Sequence, residues 1–163
     1  MTSISPYRVL FLSRRDTARS IIAEAIMNQK GAGRFVAFSA GVAPGDKADP
    51  VALRALARAG YDASDLKPQS YKAFAKAEPM DFVFTLSDTA RGEPMPEWPG
   101  QPVTAHWACE DPLRAEEDPV EIALVYARML GGLERRIETF MQLPFQSLDR
   151  ISLTHQVDAI GKA

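Results

Sequence analysis

Residues 9–20 read Val-Leu-Phe-Leu-Ser-Arg-Arg-Asp-Thr-Ala-Arg-Ser, and they indicate the fold more directly than any other stretch of this chain. The apolar residues at the start predict a strand that is covered on both faces. A short polar loop follows, and Arg19-Ser20 opens a helical pattern. Backbone N–H groups of such a loop and of the first helical turn point at one spot, where the helix dipole favours negative charge. The sequence therefore predicts an anion-binding loop.

Arg19 adds to the expected chemistry of this loop. Its guanidinium is planar and permanently charged, which suits a tetrahedral oxyanion. Phosphate or a similar oxyanion is therefore the predicted partner. The residues predicted to bind it are Ser13, Arg14, Arg15, Asp16, Thr17, Ala18, Arg19 and Ser20.

The order of apolar patterns along the chain is typical of an α/β fold. Apolar runs predict strands over residues 8–12, 35–40, 82–86 and 103–107. Between and after them lie helical patterns: one that ends at Gly31, one from Asp49-Pro50 to Gly60, a short one over Ser70 to Ala77, and a long one that begins at Asp118-Pro119. This alternation implies parallel strands joined by right-handed crossovers. We expect a three-layer α/β/α fold with a four-stranded parallel sheet, of the flavodoxin-like type.

Helical spacing predicts several packing details. Leu53, Leu56 and Ala57 should face inward, and Gly131-Gly132 should mark a close contact in the long helix. Residues 1–143 form the predicted domain, and residues 144–163 form a helical tail that packs on the same domain. The tail is expected to begin with Ser147 as its N-cap and to dock through Leu148, Ile151 and Ile160.

Length, composition and charge restrict the class of protein. A chain of 163 residues with 46% apolar and 25% charged residues is long enough for one globular domain with a real core. A net charge of −2 predicts no nucleic-acid or membrane partner. The single cysteine excludes an internal disulfide and suits a cytoplasmic location. Two distant histidines and one cysteine predict no metal site, and nothing in the sequence indicates a cofactor.

The 9–20 stretch resembles the C-x5-R-S phosphate loop of the low-molecular-weight protein tyrosine phosphatases and of the related arsenate reductases, including those recycled by thioredoxin. Ser13 stands at the position of the family's cysteine, Arg15 at that of its glycine or histidine, and Asp16 at that of its asparagine. Three altered positions together indicate a naturally altered loop. The resemblance extends over residues 7–143 through segments 38–41, 81–88 and 106–112.

The resemblance implies phosphoryl transfer to a cysteine thiolate, followed by hydrolysis. Asp111 would then be the general acid, Arg19 would hold the phosphoryl oxygens, and Ser20 would donate a hydrogen bond to the nucleophile. A serine hydroxyl ionises far above a cysteine thiol, so Ser13 would need an adjacent base. We therefore expect a nucleophile-deficient relative that keeps an anion-binding loop, with phosphate or a phosphorylated protein as its partner.

Three alternatives stay open. In the first, the chain is an active phosphatase, either through Ser13, with a Ser13-His106-Asp111 triad as one way to activate the serine, or because the natural residue at position 13 is cysteine. It is an enzyme related to the arsenate reductases, although Ser87 and Pro94 stand where the thioredoxin-coupled enzymes have redox cysteines. Or it is a regulatory binding module with a vestigial loop. Cys109 lies two residues before Asp111 and is expected to be a small, half-buried residue.

Overall fold

A computed structural model of the chain describes residues 5–76, 78–110, 112 and 118–163. The regular elements are β1 (Tyr7–Ser13), α1 (Arg19–Lys30), β2 (Phe35–Gly41), α2 (Pro50–Arg58), β3 (Phe82–Thr85), α3 (Asp88–Gly92), β4 (Val103–His106), α4 (Pro119–Met141) and α5 (Arg150–Lys162). The strands form one parallel sheet in the order β2-β1-β3-β4. The predicted four-stranded parallel α/β fold is therefore confirmed.

The strand register aligns the carboxyl ends of all four strands. Leu12 of β1 pairs with Ala40 on one side and with Thr85 on the other, and Thr85 pairs with His106. The loops that follow these strands consequently leave from one edge of the sheet. In open α/β sheets this edge is where ligands bind.

The core lies on both faces of the sheet, as the side chains of β1 show. Val9 and Phe11 belong to the larger apolar cluster, whereas Leu10 and Leu12 belong to the smaller one on the other face, and all four are fully buried. This alternation follows from the two-residue period of a strand. The larger cluster is rich in aromatic rings, and its stacked pair is Phe84 with Trp107, whose ring centroids are 4.1 Å apart.

Two packing predictions for the helices are wrong. Ala57 is exposed, because the buried stripe of α2 runs through Ala52 and Leu56, four residues apart, and Ala57 lies about 100° further round the helix. Gly131-Gly132 makes no close contact, since a Cβ atom at either position would meet only the guanidinium of Arg135, at 3.6 Å or more.

In the described part of the chain, no helix combines the length and apolar character needed to cross a membrane.

Two shorter segments also differ from the prediction. The segment that begins at Ser70 is a single 3-10 turn over Tyr71–Phe74, with Ser70 as its N-cap, and Ala77 lies outside the described residues. The N-cap of α5 is Asp149, not Ser147, because the Asp149 carboxylate accepts a hydrogen bond from Ser152 N at 2.7 Å.

The C-terminal helix packs on β4 through residues that the sequence only partly indicated. Ile160 is buried as predicted, but Ile151 is 73% exposed and Val157 takes its place in the core. Trp107 Nε1 donates a hydrogen bond to Val157 O at 2.9 Å. A Cβ atom at Gly161 would stand 2.4 Å from the carbonyl oxygen of His106, so α5 lies directly against the end of β4.

Candidate functional site

The loop between β1 and α1 turns its carbonyl groups outward. Three consecutive carbonyls accept hydrogen bonds from the loop after β2, and the pairs are Val42 N to Ser13 O at 3.1 Å, Ala43 N to Arg14 O at 2.7 Å and Gly45 N to Arg15 O at 2.9 Å. In a planar trans peptide the C=O of one residue and the N–H of the next point in opposite directions. The N–H groups of Arg14, Arg15 and Asp16 therefore point toward the inside of the loop.

The inside of the loop is a small pocket of about 180 Å³, which is lined by residues 13–19 together with Ala43 and Pro112. Helix α1 begins at its rim. Its N-cap, Ala18, has no side chain that could accept a hydrogen bond from the first turn, so no side chain caps this helix end. The helix dipole and inward N–H groups thus favour an anion at this place.

Gly41 holds the loop in this shape from below. A Cβ atom at Gly41 would lie 2.9 Å from the carbonyl carbon of Arg15 and 3.0 Å from Asp16 N. Both contacts are with backbone, which cannot rotate away. The last residue of β2 is therefore a glycine because the loop backbone packs directly on it.

Arg19 connects the pocket with the loop after β4. Its side chain is 9% exposed, and Nη1 donates a hydrogen bond to Cys109 O at 3.2 Å. Arg14 and Arg15 are exposed at the outer side of the loop. The half-buried Cys109 next to Arg19 has a thiol pKa raised to about 11, because burial outweighs the lowering effect of Arg19. This thiol is protonated at neutral pH, which agrees with the expected passive role.

Ser13, Ser20 and Asp16 form a buried chain of hydrogen bonds. The hydroxyl oxygens of Ser13 and Ser20 are 2.6 Å apart, and Ser20 Oγ donates to Asp16 Oδ1 at 2.7 Å. Asp16 N donates to Ser13 Oγ at 3.2 Å. Ser20 therefore contacts Ser13 as the resemblance implied, but its hydrogen goes to Asp16.

Asp16 is fully buried and anchors the loop. Its backbone has a φ of 54°, in the left-handed region that Asn and Asp tolerate better than most residues. Besides the hydrogen bond from Ser20, its carboxylate accepts one from Gln69 N at 2.8 Å. Burial raises the pKa of Asp16 to about 6, although the hydrogen bonds that the carboxylate accepts oppose the rise.

Glu24 is a second carboxyl group behind the loop, half-buried, and the sequence analysis missed it. Ser39 Oγ donates to Glu24 Oε1 at 2.9 Å. Burial raises the pKa of Glu24 to about 7, and the charge of Asp16 contributes in the same direction. One signal was present in the sequence: Glu24 lies four residues after Ser20 and interrupts the apolar residues of the helix face.

His106 lies apart from the hydrogen-bonded groups of Ser13, Ser20 and Asp16. His106 Nδ1 is 2.7 Å from Thr85 Oγ1, and the imidazole lines a different cavity, which also contains Arg91 and Asp158. Within the described residues, the contacts of Ser13 Oγ are with Ser20 and Asp16 N, so the geometry does not bring His106 to Ser13. Asp111 lies outside the described residues.

Ser87 and Pro94 follow β3. Ser87 is the N-cap of α3 and accepts from Ala90 N at 3.1 Å, a structural role. Pro94 is an exposed residue just after the same helix.

The family model for low molecular weight phosphotyrosine protein phosphatase matches residues 8–152 of the chain, from the first strand into α5. The chain belongs to this family. The match includes the loop of residues 13–19, both carboxyl groups Asp16 and Glu24, and all of the four strands except Tyr7.

Relatives come from both branches of the family. A glutaredoxin arsenate reductase of Synechocystis sp. is 27% identical over 134 residues, which are 82% of this chain and 95% of that protein. The structure of an arsenate reductase in the phosphate binding state has a TM-score of 0.66 at 27% identity and covers 81% of this chain and 94% of its own. A low molecular weight protein tyrosine phosphatase from T. tengcongensis has the same TM-score at 23% identity, covers 83% and 98%, and supports the fold alone.

Proposed function

We propose that this protein binds phosphate or a similar tetrahedral oxyanion in the loop of residues 13–19 and does not use the thiolate chemistry of its family. The observation that carries this proposal is the backbone of the loop, whose carbonyls bond outward to residues 42–45 while its N–H groups point inward. Arg19 at the rim adds a fixed positive charge. Backbone N–H groups, a helix end and a guanidinium together form an anion site with no metal requirement.

The proposed lack of a nucleophile rests on Ser13 and its contacts. By resemblance, position 13 is where the family has its cysteine, and a serine there needs an adjacent base to ionise at neutral pH. Among the described residues, the hydrogen-bond partners of Ser13 Oγ are the Ser20 hydroxyl and the Asp16 amide, and neither is a base. The lack of cysteines at positions 87 and 94 supports the proposal that the chain does not reduce arsenate by a dithiol relay.

Two sources of the oxyanion are compatible with the pocket: a free ion in solution, and a phosphoryl group on a protein. The relative of known structure that is described in a phosphate binding state supports phosphate as a ligand of suitable size. The exposed Arg14 and Arg15 supply additional positive charge at the outer face of the loop.

The proposal is tested by calorimetric titration of the purified protein with inorganic phosphate, next to Arg19→Ala. The exposed Arg128 provides a matched control. Arg128→Ala removes the same charge from a solvated position on α4, which is not part of the loop. We expect Arg19→Ala to weaken binding about tenfold or more, since it removes a charge-assisted hydrogen-bond donor, and Arg128→Ala to leave binding unchanged. Absence of phosphate binding at millimolar concentration would show that the loop is vestigial and would favour a binding module that uses another surface.

A second candidate function is hydrolysis of phosphate esters through Ser13 itself. The observation in its favour is the continuous path from Ser13 through Ser20 to Asp16, a carboxylate whose pKa of about 6 allows it to accept a proton. Turnover of an aryl phosphate that is lost in both Ser13→Ala and Asp16→Asn would establish this function. Under the main proposal, the wild-type protein shows no turnover above background.

A further inference from the structure

We propose that Asp16 makes the loop selective for oxyanions that carry a proton, such as hydrogen phosphate or hydrogen arsenate, over sulfate and over the dianions of phosphate esters. This inference rests on the proposed function and narrows its ligand class to free oxyacid anions. Its basis is the direction of the hydrogen bonds behind the pocket.

The direction of the hydrogen bonds among Ser13, Ser20 and Asp16 is fixed because each serine hydroxyl has a single hydrogen. An ionised Asp16 carboxylate can only accept, so the hydrogen of Ser20 is directed to Asp16 Oδ1. Ser20 then has no hydrogen for Ser13, and the short contact of 2.6 Å between them requires Ser13 to be the donor. Both hydroxyl hydrogens consequently point away from the pocket.

Ser13 therefore presents only a lone pair to a bound anion. One of its two acceptor positions is filled by Asp16 N, and no donor from the described residues fills the other, which is available at the pocket that Ser13 lines. An anion with a P–OH or As–OH group can donate a hydrogen bond to this lone pair. Sulfate and a phosphomonoester dianion have no hydrogen to donate, so they bring an oxygen lone pair against the Ser13 oxygen, which is unfavourable in a buried site.

Asparagine at position 16 would reverse the direction of the hydrogen bonds that connect position 16, Ser20 and Ser13. Gln69 N is a fixed donor at 2.8 Å from Asp16 Oδ2, so an asparagine would have to place its carbonyl oxygen there. Its NH2 group would then face Ser20 and donate to it. Ser20 would donate to Ser13, and the Ser13 hydroxyl would be free to donate to an anion without a proton.

The test compares hydrogen phosphate with sulfate by isothermal titration calorimetry at about pH 8. At this pH both ions are tetrahedral dianions, and the proton is the chemical difference that matters here. The pKa of Asp16, about 6, leaves it mainly ionised under these conditions. The proteins are the wild type, Asp16→Asn, Ser13→Ala and, as a control with the same change of net charge, the exposed Asp65→Asn.

We expect the wild type and Asp65→Asn to bind hydrogen phosphate roughly tenfold or more tightly than sulfate. In Asp16→Asn and in Ser13→Ala this ratio should fall toward one. Phenyl phosphate, a phosphomonoester dianion at this pH, should follow sulfate and gain affinity in Asp16→Asn.

Different results overturn different claims. If the wild type binds phosphate and sulfate equally, the selectivity inference is wrong and the proposed oxyanion site stands. If Asp16→Asn strengthens the binding of both ions by the same factor, Asp16 acts through its charge and not through the direction of the hydrogen bonds. That result also contradicts the inference. If none of the proteins binds either ion, the proposed function itself fails.

Discussion

Replacement of Glu24 by glutamine should stabilise the protein at alkaline pH and leave it nearly unchanged in acid. The Glu24 carboxyl lies behind the anion loop, where burial raises its pKa from an ordinary value of 4.5 to about 7. A rise of this size corresponds to roughly 3 kcal/mol of folding free energy. Glutamine keeps the Oε1 atom that accepts from Ser39, so the substitution removes the cost of ionisation and retains the hydrogen bond.

The sign of the effect follows from proton binding. Between about pH 4.5 and pH 7 the folded protein keeps the Glu24 proton while the unfolded chain has lost it. The free energy of unfolding therefore falls as the pH rises through this window and becomes constant above it. Glu24→Gln abolishes this part of the decline. We expect the variant to exceed the wild type by up to about 3 kcal/mol near pH 8 and by less than about 0.5 kcal/mol near pH 4.5.

Urea denaturation curves at the two pH values measure this difference directly, since the midpoint gives the free energy of unfolding when the slope is unchanged. The exposed Glu97 supplies the control, because Glu97→Gln removes the same charge from a solvated position. A loss of stability in Glu24→Gln near pH 8, equal to that near pH 4.5, would refute the reasoning. It would mean that the ionised carboxylate is well compensated in the folded protein.

Three further substitutions test other parts of the structure. Gly41→Ala should abolish phosphate binding in calorimetry and lower the free energy of unfolding by about 1–3 kcal/mol. The reason is that the added Cβ atom would collide with the backbone of the loop. Gly92 has open space around it, so Gly92→Ala should change neither quantity. Ser13→Cys should gain little aryl phosphatase activity in a chromogenic assay, because Ser20 donates to Asp16 and has no hydrogen left for a thiolate; combination with Asp16→Asn should raise that activity about tenfold or more. Trp107→Phe should cost about 1–3 kcal/mol in thermal or urea denaturation, since it removes the indole N–H that donates to Val157 O and leaves a void at a fully buried position.

Sequence reasoning located the strands well because each is a short, largely apolar run. The predicted strand at 35–40 and the observed Phe35–Gly41 differ by one residue. Helix faces were less accurate at short helices such as α2, where a shift of one residue moves a side chain from the core to solvent. The N-cap of α5 was misplaced because Ser147 and Asp149 are both good caps, and packing decides between them.

The carboxyl groups behind the loop were out of reach for a different reason. The sequence places Asp16 in the loop, but its partner Gln69 comes from a distant part of the chain, and only the fold brings the two together. Glu24 reads in the sequence as one polar residue on an otherwise apolar helix. The raised pKa of Glu24 comes from burial that only the fold produces, and the hydrogen bond from Ser39 on the neighbouring strand opposes that rise.

Ser13 and Asp16 make physical sense as a pair more than as two separate changes. A thiolate at position 13 needs hydrogen-bond donors and positive potential around it to keep its pKa low. An ionised Asp16 accepts the hydrogen bond of the Ser20 hydroxyl and places a negative charge close to position 13. Both effects would destabilise a thiolate at that position. A serine at position 13 does not need to ionise, and it can pass its hydrogen to Ser20 while it accepts one from Asp16 N. The loop that would destabilise a thiolate nucleophile therefore suits a serine hydroxyl. The Ser13 hydroxyl donates to Ser20, accepts from Asp16 N, and keeps one acceptor position for the hydrogen of a protonated oxyanion.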